Sequence, residues 1–250
     1  MHIHARWLVS VSALYLFGVY GTHAAVNAQS GKSVDAATAG TITGRAVFQG
    51  TPPVPEPLKG VSDPTCQKAL GATPTNDSVI VGQGGALKNA FVYVKSGLDP
   101  AYSFETPTTP ALLDQRGCLY VPKVLGVRVG QPLDVLNSDT TIHNVHGVPF
   151  DNDEFNKGEI AGMKITQTFA KPETMVKIKC DVHPWMASYV GVMAHPFFAV
   201  SGADGLFTVK GLPPGQYTIA AWHEQFGTKT ADVTIGPSQT QTVTFTFTAQ

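Results

Sequence analysis

The apolar residues of this chain come in short runs, many of them alternating with polar residues and ending at glycine or proline. That pattern leaves room for little but strands. In Thr242-Val243-Thr244-Phe245-Thr246-Phe247-Thr248, one valine and two phenylalanines face one way and the threonines the other. Side chains alternate across a strand, so this segment is expected to be a half-buried antiparallel strand. Similar readings apply to Thr41–Phe48, Leu87–Lys95, Val124–Val129, Leu133–Asn137, Phe197–Val200, Phe207–Lys210, Tyr217–His223 and Ala231–Ile235. Ile165–Phe169 and Thr174–Cys180 read as a hairpin around Lys171-Pro172-Glu173, while Gln49–Gly85 and Phe150–Gly162 read as long polar loops, the first tied down by Cys66. No long amphipathic helical period occurs after residue 28, and the expected fold class is all-β.

Composition supports this. The chain has 25 Gly, 18 Pro and only 14% charged residues, against a usual ~25%. Glycine and proline set turn dihedrals, and threonine suits a pleated surface. A formal net charge of -1 argues against a nucleic-acid partner or an electrostatic membrane anchor. Residues 1–28 carry one arginine, an apolar run from Trp7 to Tyr20, and small residues at Ala24 and Ala28. This is the pattern of an export signal peptide, too short for a comfortable span. The mature chain, about 220 residues, is expected in the periplasm or secreted, with no membrane span. Three cysteines are an odd number for an exported chain. Cys66 with Cys118 is the favoured disulfide because Cys180 has ligand-type neighbours; the other two pairings stay open.

Those neighbours are Cys180-Asp181-Val182-His183-Pro184-Trp185-Met186, with Thr140-Thr141-Ile142-His143-Asn144-Val145-His146 some way upstream. Thiolate, imidazole and thioether are the donors that a one-electron copper site uses: two imidazoles and a thiolate in a near-trigonal plane, with a weak axial sulfur. His143, Cys180, His183 and Met186 supply that set. Val176, Ile178 and Cys180 share one strand face, so the thiol is expected to point inward. Asn144 is placed to steady the ligand loop by side-chain hydrogen bonds. His146, three residues from His143, is a possible extra ligand, although an undistorted strand turns it the other way. Pro184 and Trp185 form a candidate apolar docking patch beside an exposed His183. Zinc has no use for the thioether, and haem, dithiol, nucleotide and hydrolase motifs do not occur. The chain is expected not to be an enzyme.

The block from Leu119 to Met193 resembles the cupredoxins. His143-Asn144 and the Cys180-x-x-His183 spacing are similar to the plastocyanin and pseudoazurin pattern, which implies copper at His143, Cys180 and His183 and a Greek-key sandwich. Those families place four residues between the second histidine and the methionine, whereas Pro184 and Trp185 alone separate His183 from Met186. The flanks resemble a second family, the carboxypeptidase regulatory-like module, a transthyretin-like sandwich. Gly40–Val47, Asn89–Val94, Asp204–Phe207 and Gly211–Thr218 carry that likeness. The expected organisation is therefore a regulatory-like sandwich from 40–97 plus 197–249 with a copper domain at 110–196 between its halves. The function these readings imply is periplasmic one-electron transfer to or from a redox protein such as a cytochrome. A module binding carbohydrate or an envelope protein, and copper storage or delivery, are the competing readings.

Overall fold

The computed structural model describes residues 31–249; the expected export signal lies outside the described residues. In chain order the elements are β1 (Gly40–Phe48), α1 (Pro64–Leu70), β2 (Phe91–Ser96), β3 (Ala111–Gln115), β4 (Tyr120–Val121), β5 (Val124–Arg128), β6 (Leu133–Asn137), β7 (His143–Val148) and β8 (Phe155–Glu159). They continue with β9 (Lys164–Gln167), β10 (Glu173–Lys179), β11 (Ala187–Met193), β12 (Phe198–Val200), β13 (Leu206–Leu212), β14 (Gly215–His223), β15 (Gly227–Ile235) and β16 (Thr240–Phe247). The described residues are all-β apart from α1 and a 3-10 turn at Gln83–Gly85. No described helix is long and apolar enough to cross a membrane.

Four sheets pack as two sandwiches. The sheets β13-β1-β16 and β12-β2-β14-β15 enclose a core that includes Ile42, Phe48, Val92, Phe207, Ile219 and Phe247. The sheets β5-β11-β10-β7-β8 and β4-β3-β6-β9 enclose another with Leu113, Val135, Phe169, Ile178, Cys180 and Met186. Burial alternates along β1 residue by residue, as a strand with one wet face requires. In β2, Phe91–Val94 are all buried. Val92 and Val94 serve the first core, while Phe91 and Tyr93 face a third cluster with Val124, Met193 and Ala220 that joins the sandwiches.

Local expectations fail at four places. Ile165–Phe169 and Thr174–Cys180 do not make a hairpin, because β9 pairs with β6 while β10 pairs with β7 and β11 in the facing sheet. The connection crosses the sandwich, with buried Phe169 in its core and Glu173 accepting the backbone N–H groups of Phe150 and Asp151. Phe150–Gly162 contains a strand, β8, paired with β7; its inward residues are Phe155 and the buried Glu159, so its pattern looks polar. The last strand is parallel, running beside β1 from Thr41↔Thr240 to Phe48↔Phe247. After β15 the turn at Gly236–Gln239 carries the chain into the facing sheet, where it meets β1 in the same direction.

The stretch from Gln49 to Gly85, expected as loop, also holds α1. Its start follows local chemistry: Asp63 caps it by accepting the N–H groups of Thr65 and Cys66, and Pro64 occupies the first turn where no N–H is needed. Gly71 closes the helix at φ 84°. Cys66 is the buried residue of the helix and is disulfide-bonded to Cys118, their Cα atoms 5.4 Å apart.

Candidate metal centre

Three side chains, one from β7 and two from the segment between β10 and β11, meet in the second core. His143 opens β7, Cys180 follows the last residue of β10, and His183 lies in the tight loop that leads to β11. That loop is closed by Met186 N–H donating to His183 O at 2.9 Å and Cys180 N–H donating to Met186 O at 3.2 Å. The His183 N–H points at Cys180 Sγ, 3.4 Å away. The Nδ1 atoms of His143 and His183 stand 2.9 Å apart, and Cys180 Sγ is 4.0 Å from His183 Nδ1. Donor atoms of His143, Cys180 and His183 all lie within 4.8 Å of one another, and all three residues are buried. Met186 is fully buried in the same core, at the end of the same loop.

Asn144 braces this arrangement. Its Oδ1 accepts the N–H groups of Asp181 at 2.7 Å and Val182 at 3.3 Å, and the Cys180 thiol at 3.3 Å. Its Nδ2 donates to Asn156 Oδ1 and Asp181 Oδ2. From beneath, the buried Tyr120 hydroxyl donates to the carbonyls of Asn144 and Lys179, linking the two strands that carry His143 and Cys180. His146 is turned away from the cluster, its ring nitrogens 2.8 Å from Asp181 and 2.7 Å from Glu154.

Two carboxylates escaped the sequence reading. His143 Nε2 is 2.9 Å from Asp139 Oδ2, and His183 Nε2 is 3.6 Å from Asp63 Oδ2, an ion-pair distance. Each imidazole thus turns Nδ1 inward and Nε2 toward an acid. A carboxylate at the outer nitrogen fixes the tautomer and raises the basicity of the inner one. Asp63 and Asp139 carry no periodic or spacing signal; the one readable hint was the Asp63-Pro64 start of a helix.

His183, expected to be exposed beside Pro184 and Trp185, is covered instead. His183 is 3% exposed, screened by Asp63 at the start of α1 and by the Trp185 ring 5.1 Å away. Trp185 is half-buried, its indole N–H bonded to Cys118 O at 3.0 Å, while Pro184 is exposed. The apolar residues open to solvent beside the cluster are Ile142 and Val182.

The electrostatics are those of a strongly coupled donor set. Burial alone would raise the Cys180 thiol, but the His143 ring and the N–H groups of Asn144, His183 and Val182 outweigh it and pull the thiol down. Burial works against protonated His143, yet Cys180 and Asp139 bring it above its ordinary value. His183 is lowered by burial and by the charge of His143. Glu159, opposite His143 in the β7–β8 register, is pushed up to about 7 by burial, against the hydrogen bond from Gln115.

The family described as carboxypeptidase regulatory-like domain matches residues 191–248, the end of β11 together with β12–β16. No curated protein matches the chain. Solved structures similar to part of it include a Cu-containing nitrite reductase from Thermus scotoductus SA-01, at 21% identity and TM-score 0.32 over 39% of this chain and 25% of that one. The chain therefore spans about a quarter of that reductase. A purple cupredoxin from Nitrosopumilus maritimus aligns at 22% identity and TM-score 0.30, covering 33% of this chain and 99% of its own. A mutant of amicyanin in its Cu(I) form aligns at 20% identity and TM-score 0.32, covering 41% and 98%. Part of the chain is thus similar to a carboxypeptidase regulatory-like domain, and parts of it align with cupredoxins.

Proposed function

We propose that this is an exported copper protein that carries single electrons and performs no catalysis of its own. His143, Cys180 and His183 hold the ion, with Met186 as a weak fourth donor. The observation that carries the reading is the meeting of two inward Nδ1 atoms and one thiol, donor atoms within 4.8 Å of one another on three buried residues. The donor chemistry fits copper: thiolate and imidazole together suit both of its common oxidation states. Bound copper supplies a one-electron couple. The chain's own residues do the rest: Asn144 fixes the Cys180 loop, Asp139 and Asp63 orient the imidazoles, and the surrounding core keeps water from the donors.

Within this reading residues 110–196 form the copper domain, inserted between the halves 40–97 and 197–249 of a regulatory-like sandwich. Residues 1–28 direct export to the periplasm, where a structural disulfide persists. The partner is a redox protein such as a cytochrome, and it docks on the exposed rim of Pro184, Val182 and Ile142. Protein lacking the first 28 residues is expected to bind one copper and to show an intense visible band from the thiolate, lost in Cys180→Ser. A colourless Cu(II) adduct of the unaltered protein defeats the electron-carrier reading.

A further inference from the structure

The Cys66–Cys118 disulfide lies against the donor cluster. Cys66 Sγ falls in a group within 4.8 Å with a ring nitrogen of His183 and a carboxylate oxygen of Asp63, and Cys118 Sγ in another with His143 and Asp139. Both cysteines are fully buried, so the bond is covered along with the donors it lies beside.

Each cysteine is also held without the bond. Asp63, which accepts the Cys66 N–H at 3.1 Å, is tied to the strand-side loop by the Thr141 hydroxyl at 2.7 Å. On the other side Gly117 and Cys118 both adopt left-handed backbone, with φ 67° and 57°. Asp139 grips that turn by accepting the Gly117 and Cys118 N–H groups at 2.7 and 2.8 Å. The Trp185 indole holds Cys118 O. Opening the S–S bond therefore leaves two sulfurs side by side and next to both imidazoles.

We propose that Cys66 and Cys118, when reduced, form a second metal site that takes Cu(I) beside the His143–Cys180–His183 cluster. Paired thiolates are the donors that select Cu(I). The reductant is a dithiol: it gives two electrons and two protons, becomes a disulfide, and leaves Cys66 and Cys118 as thiols. Binding of Cu(I) then releases both thiol protons to solvent. Oxidised, the pair has no thiolate to offer, so the disulfide sets how much copper the protein carries. The first site does not contain either sulfur, and the two can be deleted separately.

The experiment is Cu(I) loading of the purified protein under nitrogen, read by competition with a chromophoric Cu(I) chelator, with and without prior dithiol treatment and desalting. Alkylation and mass mapping of a metal-free sample count the thiols. The expected result is one copper per chain untreated and two after reduction. Cys180→Ser holds none untreated and one after reduction, whereas Cys66→Ser/Cys118→Ser holds one in both conditions. A treated wild type with three alkylatable cysteines that still takes one copper overturns the proposal. So does loss of the native far-UV circular dichroism on reduction, because the site needs both cysteines held in place. Untreated protein that binds no copper, beside a treated sample that binds one in both wild type and Cys180→Ser, defeats the electron-carrier reading and leaves this one standing.

Discussion

At the scale of single residues the candidate centre depends on groups outside the donor set. Asn144 Oδ1 accepts two loop N–H groups, and replacing it by alanine leaves both without an acceptor. Asn144→Ala is expected to cost about 2 kcal/mol in urea denaturation and to speed loss of copper, and Asn144→Asp, which keeps the acceptor oxygen but sets a carboxylate against Asn156 Oδ1 and Asp181 Oδ2 in place of the donating amide, restores neither in full. Asp139→Asn keeps the shape but removes the charge behind His143; roughly 10- to 100-fold weaker copper retention is expected in chelator competition. An unchanged affinity in that variant would show the carboxylate to be a mere cap for the Cys118 turn. The donors themselves were legible because thiol and imidazole are scarce and chemically pointed. Asp63 and Asp139 were not, because carboxylates are common and these two become informative through a register that brings residues 63, 139, 143 and 183 together in space.

At the scale of elements, sequence read strands well and pairings poorly. Burial alternation in β1 and the inward face of Val176, Ile178 and Cys180 follow from the two-residue period of a strand. Which strand lies beside which depends on where a connection crosses between sheets, and Thr168–Pro172 carries no mark that distinguishes a crossover from a tight turn. β8 was hidden because one of its inward positions is a glutamate. Glu173, at the start of β10, pins that crossover by accepting the N–H groups of Phe150 and Asp151 and the amide of Asn152. Burial alone would raise its carboxyl, but these donors outweigh burial and hold it below the ordinary 4.5. A carboxyl depressed on folding gives stability that is complete above its unfolded value and fades as pH falls through the folded one. Glu173→Gln is therefore expected to be less stable than the wild type by about 1–3 kcal/mol at pH 7. The gap should close on acidification below pH ~4. Urea denaturation across that range decides; a gap independent of pH would assign the loss to packing.

At the scale of the whole molecule, the two sandwiches are plugged into one another. Gly126 of β5 and Gly191 of β11 are partners in register, and a Cβ on either would run into the Phe91 ring, with Phe198 also filling the space over Gly126. The paired glycines make a notch in the outer face of the sheet that carries His143, and Phe91 of β2 fills it. Tyr189 and Trp222 meet across the same junction with ring centres 4.9 Å apart. Lys123, nearly buried, bridges Asp77 at 2.7 Å and Glu224 at 3.5 Å. An ion pair of this kind fixes how the parts fit more than it adds to stability. Dense packing across the junction makes independent unfolding costly, since either sandwich leaving exposes Phe91 and an unpaired buried charge. The protein is expected to give one calorimetric transition, and copper, on the proposed reading a ligand of the folded state, should move all of it upward by mass action. Phe91→Ala empties the notch and should cost about 3–5 kcal/mol, lowering that same transition even though residue 91 is in the sandwich without the candidate donors. Two peaks in the wild type, one moving with copper and one indifferent to it, would show that the notch joins two bodies that fold alone.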